Sequence, residues 1–236
     1  MAYSQLLRRG ARERRWIPGA LIATTFLAPT AARAEPIRDE PAPLAVRVYD
    51  LGGVDSAALA DALREARVIF AAAGMASTWH DCTRGARSSS PFCGERRQPT
   101  DLVVRIVRRP ETEGLSKALG ASVVESGIRS GVLATVFLDL VESVARRTGG
   151  DVPVLIGRAI AHEVGHLLLG TGEHSASGLM RPIWTDRELA SNNPRDWLFE
   201  PGEGAVLRAA RRRVEKLASA PPDTFSTERI QDTSAR

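Results

Sequence analysis

The sequence predicts an α/β chain of the α+β kind: a twisted mixed sheet of four to five strands, one long apolar helix and a C-terminal helix. Three observations lead there. The 236 residues are 43% hydrophobic and 25% charged, ordinary for one folded body, which excludes a collagen, a coiled-coil rod or a wholly disordered chain. Short Val, Ile and Leu runs alternate with stretches whose apolar residues recur every three or four positions, so strands and helices follow in turn. With 5% aromatic residues, 20 Gly and 14 Pro, the core must rest on aliphatic side chains with many turns between short elements.

The elements can be justified in order. Residues 44–49 alternate in character and predict a first strand after Pro36, Pro41 and Pro43. Asp55 caps a helix whose stripe is Leu59, Leu63, Ala66 and Phe70, and Gly74 stops it. Residues 75–80 return as a strand, and residues 102–107 form a dense Val/Ile strand interrupted only by Arg105. Residues 110–118 read as loop, 119–124 as an edge strand, and 132–138 as a buried strand after a turn at residues 127–131. Asp139 opens a short helix to Arg147, Gly149 and Gly150 break it, and Asp151 with Pro153 starts a long helix that Gly170 ends. An irregular stretch to Trp197, a final helix over residues 202–217 and a polar, disordered tail over 221–236 complete the reading.

The net charge of +4 invites a nucleic-acid reading, but six arginines against Glu13 fall within residues 1–34, leaving the rest close to neutral. That basic stretch runs into an apolar segment, residues 17–28, and the small-x-small triplet Ala32-Arg33-Ala34, the pattern of a cleavable secretory leader over 1–34. The rival, a membrane anchor, needs about 20 apolar residues, and Pro18 and Gly19 interrupt this shorter run. The expected mature protein, a domain over 35–220, is secreted or periplasmic, without stable membrane insertion, and a monomer. An oxidising compartment lets Cys82 and Cys93 close a disulfide over a Ser- and Arg-rich loop; free thiols or metal ligands are the alternative.

Three of the four histidines fall in Ala161-His162-Glu163-Val164-Gly165-His166-Leu167-Leu168-Leu169-Gly170-Thr171-Gly172-Glu173-His174. On a helix, residues four apart lie about 40° round the axis and about 6 Å along it, so His162 and His166 can reach one cation. Glu163 sits about 100° round from His162, placed to take a proton from water on that cation without ligating it. Gly170 and Gly172 can turn the chain back so that His174 becomes a third ligand, with Glu173 as the other candidate. Three protein donors leave one position for water, the pattern of a catalytic zinc site.

The segment resembles the metzincin clan of zinc metallopeptidases, whose motif is His-Glu-x-x-His-x-x-Gly-x-x-His followed by a Met-turn. The match covers His162, Glu163, His166, Gly170, His174 and Met180, with each of the last two motif steps, His166 to Gly170 and Gly170 to His174, one residue longer here. The resemblance implies a metzincin-like fold with a strand edge beside the cleft. It also implies Zn2+ on His162, His166 and His174, Met180 as the floor beneath the imidazoles, and a secreted endopeptidase using Glu163 on a peptide or protein substrate. Met180 as a plain core residue is the alternative, and so is a secreted protein that binds zinc without turnover. No pro-segment is expected in the short spacer before the first strand. His80 reads as a strand-end surface residue, Trp184 stands where some relatives carry a tyrosine, and Arg208, Arg211, Arg212, Arg213 and Lys216 read as a solvated helix face instead of a nucleic-acid site.

Overall fold

The computed structural model describes residues 42–85, 90–98, 100–109, 118–125 and 130–218. The expected leader, the expected tail, nearly all of the 110–118 loop and residues 127–129 of the expected turn lie outside them. Contacts divide the chain after Asp39, and every described residue belongs to the unit Glu40–Arg236.

The strands are β1 (Leu44–Asp50), β2 (Ser77–Asp81), β3 (Leu102–Val107), β4 (Gly120–Glu125) and β5 (Ser130–Phe137). The helices are α1 (Ser56–Ala72), α2 (Leu138–Thr148), α3 (Val152–Leu169), α4 (Asp186–Ser191) and α5 (Pro201–Ala218). One mixed sheet has the order β2-β1-β3-β5-β4; the first four strands run parallel and β4 runs antiparallel at the edge. Parallel neighbours need crossovers, and α1 supplies the one between β1 and β2. Val46, Val48, Val104, Ile106, Ala134 and Val136, alternate residues paired in register across β1, β3 and β5, are buried on one face of the sheet.

Asp55 caps α1 by accepting from the Ala57 and Ala58 amides, and the predicted stripe of Leu59, Leu63, Ala66 and Phe70 is buried. α3 packs along α1 and against β5 and β4. The approach is closest at Gly157, where a Cβ would run into the Ala62 carbonyl. α3 is long and apolar enough to cross a membrane, but 78% of that stretch is buried in the fold, as a core helix should be.

Two expectations are corrected. The stretch read as irregular contains α4, whose capping box has Thr185 accepting from the Glu188 amide and Glu188 accepting from the Thr185 amide, and then a 3-10 turn over Pro194–Trp197. Two of the described arginines of α5 do not lie on a solvated face. Arg211 is buried and donates to the Ala42 and Pro43 carbonyls, and Arg208 donates to the Ala73 carbonyl, so both pin α5 to the entry of β1 and the end of α1. Arg212 is exposed, and the side chains of Arg213 and Lys216 lie outside the described set.

Candidate metal centre

α3 carries the first three groups because its ends are well set. Asp151 accepts from the Val154 amide at one end, and at the other Gly170 takes the left-handed conformation (φ 66°) with its N–H on the His166 carbonyl. His162, Glu163 and His166 are all buried within this helix. The rings of His162 and His166 cross edge-on with centroids 4.8 Å apart, and their Nε2 atoms stand 3.1 Å from each other.

The chain leaves α3 at Gly170 and brings back His174, whose ring centroid lies 5.3 Å from that of His162 and 4.8 Å from that of His166. One donor atom from each of the three histidines falls within 4.8 Å of the others, so this group can hold a metal ion. Glu173 is exposed, and its backbone N–H is bonded to Thr171 Oγ1; among the described residues it is not part of the group.

The hydrogen bonds of the rings decide which nitrogens face the centre. His162 Nδ1 donates to the Leu179 carbonyl at 2.9 Å and His166 Nδ1 donates to the Thr171 carbonyl at 2.9 Å. A carbonyl only accepts, so in each neutral ring the proton sits on Nδ1 and Nε2 presents a lone pair. Burial, with the neighbouring His166 and His174, pushes His162 down to about 4 despite the Leu179 bond, and burial lowers His166 as well. At neutral pH two lone pairs therefore meet without a proton between them. A cation resolves that opposition, and ring orientation by backbone carbonyls is the usual support for metal-binding histidine.

Glu163 faces the edge strand. A Cβ on Gly120 of β4 would fall 2.6 Å from its Cγ and 2.7 Å from the Thr135 carbonyl, so only glycine admits the carboxyl there. Burial raises Glu163 to about 7, against a smaller lowering by its bond with Ser122. The three histidines, Glu163 and residues 118–122 line a cavity of about 1090 Å³. Its far wall is one face of α2: Leu140, Ser143, Val144 and Arg147 recur at helical spacing toward the cavity, while Leu138, Val141 and Ala145 face the core. Ile183, Trp184 and Leu189 also line the cavity.

Met180 is buried beneath α3, and a Cβ on Gly165 would meet its Sδ at 2.7 Å. The turn before it is tight: Gly178 has φ +72°, and the Leu179 amide donates to the Leu198 carbonyl at 2.7 Å. Trp184 meets His162 edge-on at 5.8 Å and donates Nε1 to the Leu179 carbonyl at 3.3 Å. Residue types alone did not single out Arg158, Arg181 or Trp197. Arg158 stands one turn before His162 on α3, a helical register visible in the sequence, whereas the other two are brought in by tertiary contacts.

The remaining sites fall elsewhere. Cys82 and Cys93 are disulfide-bonded, their Cα atoms 5.3 Å apart. His80 is half-buried near the end of β2: it stacks on Phe92 at 4.2 Å and bonds Ser90 through Nδ1 at 3.0 Å. Burial, then the nearby Arg47, lowers its pKa. Compared with protein-family models the chain matches none, and no curated protein matches it.

Proposed function

We propose that the protein is a zinc-dependent endopeptidase, metzincin-like in fold, that works outside the cytoplasm. The observation that carries this reading is the pairing of a three-imidazole group with a buried carboxyl beside it, both opening into one cavity. Three nitrogens suit zinc with a position left open, whereas a purely structural site would be closed by a fourth protein ligand. The Cys82–Cys93 bond supports an oxidising compartment.

When bound, zinc supplies a Lewis acid that polarises the peptide carbonyl and makes water more acidic. The residues of the chain do the rest. Glu163 takes the proton from the attacking water as the oxygen–carbon bond forms, and hands it to the nitrogen that leaves as the carbon–nitrogen bond breaks. Ser122 orients that carboxyl. The outer edge of β4 offers main-chain groups to an extended peptide. Leu140 and Val144 of α2, with Ile183, Trp184 and Leu189, favour a bulky apolar side chain next to the cut bond.

The test is cleavage of a diverse peptide library by the zinc-loaded protein, with and without a chelator. Chelator-sensitive cleavage beside bulky apolar residues is expected. Folded, zinc-loaded protein that cleaves nothing would replace this reading with that of a zinc-holding binding protein.

A further inference from the structure

The carbonyl that orients His162 belongs to a turn with an unusual fastening. Leu179 O accepts from both His162 Nδ1 and Trp184 Nε1, so its position sets two side chains of the site. The peptide before it is gripped by Arg181: Nη1 donates to the Gly178 carbonyl at 2.8 Å and to the Asp196 carbonyl at 2.9 Å, joining the turn to the segment that ends at Trp197. Arg181 is itself buried, its Nε 3.4 Å from a Glu188 carboxylate oxygen. Its guanidinium lies 5.3 Å from the Trp197 ring centre, Arg158 lies 4.1 Å from it, and Trp184 packs edge-on against Trp197 at 5.2 Å. A buried guanidinium is costly unless its surroundings are fixed, and cations on aromatic faces are strongest where water is excluded.

We infer that Arg181, backed by Trp197, is a positioning residue of the metal centre: it fixes the Leu179 carbonyl and, through it, the orientation and tautomer of His162. The inference rests on reading the three histidines as a metal site. Arg181 also lines the cavity, so both its charge and its grip on the turn bear on the ion, and Arg181→Lys keeps the first while losing the fork that makes the second.

The experiment is zinc titration of metal-free wild type, Arg181→Ala, Arg181→Lys and Leu59→Ala against a competing chelator, with Tm and ring-nitrogen NMR shifts of His162 recorded for each. Leu59→Ala opens the core at α1 without touching the turn, and serves as the control for lost stability. Arg181→Ala is expected to raise the zinc Kd by about tenfold to a hundredfold and to shift His162 away from the pure Nδ1–H form. Arg181→Lys, keeping the charge but not the fork, gives a smaller rise, and Leu59→Ala keeps the wild-type Kd despite its lower Tm. If Arg181→Ala does not fold, Arg181→Lys decides. Wild-type Kd values in the Arg181 variants, or an equal loss in Leu59→Ala, overturn the inference alone; a wild type that takes up no zinc overturns the metal reading and this inference with it.

Discussion

Arg47 under the cysteine loop and His162 on α3 are both buried, yet their surroundings differ in kind. Arg47 spends every nitrogen: Nε and Nη2 reach the buried Asp101 at 3.1 and 3.0 Å, Nη1 reaches the Cys93 and Glu95 carbonyls, and Phe92 lies across the guanidinium at 4.2 Å. His162 and His166 spend only Nδ1 and leave their Nε2 atoms opposed. A buried polar group that is fully partnered holds the fold together, whereas one left short of a partner, beside a cavity, is held ready for something else.

The sharpest way to break that contrast is at Glu163. Glu163→Gln keeps the shape and removes the base, so peptide cleavage should fall by about 10²–10⁴-fold while zinc uptake persists, measured by steady-state kinetics and metal analysis. At the other end of the molecule, Arg47→Met leaves the buried Asp101 carboxylate without its counter-charge, with the Gln98 amide still donating to it. Urea unfolding should show a loss of about 3–5 kcal/mol with the zinc Kd unchanged. A large change in zinc affinity there would erase the distinction between the two regions.

The pH dependence of the metal-free protein sharpens it further. Burial raises Glu163 from its ordinary 4.5 to about 7, so the unfolded chain ionises first and the fold loses stability as pH rises between those values. Glu163→Gln removes this loss. Metal-free wild type and variant should unfold alike near pH 4, and the variant should be the more stable by roughly 3 kcal/mol above pH 7. His162, lowered to about 4, destabilises both proteins equally as pH falls and cancels in the difference. The smallest effect is expected at the exposed Arg147–Asp186 pair on the cavity rim, 2.8 Å apart, where Arg147→Ala should leave the thermal melt almost unchanged.

Much of this was legible in the sequence where local chemistry decides. Asp55, Asp151 and Gly170 bound their helices as their residue types require, and residues 102–107 form the strand that their Val and Ile content predicts. The spacing of His162, Glu163 and His166 placed them on one helix, and Gly170 let His174 return. α4 falls in the stretch read as irregular although Thr185 and Glu188 spell a capping box, because six residues are too few for an apolar stripe to repeat. What could not be read was set by contacts distant in sequence: Arg211 pairs with carbonyls some 169 residues away, Gly120 makes room for Glu163, and Arg181 grips the turn that faces His162.

The central claim is that His162, His166 and His174 hold one metal ion together. Calorimetric titration of the metal-free protein with zinc, beside His162→Ala, His166→Ala and His174→Ala, tests it most directly. The account predicts one ion per wild-type chain and a sharp loss of affinity in each variant. Zinc uptake that is absent from the wild type, or unchanged when any one of these histidines is removed, would contradict it.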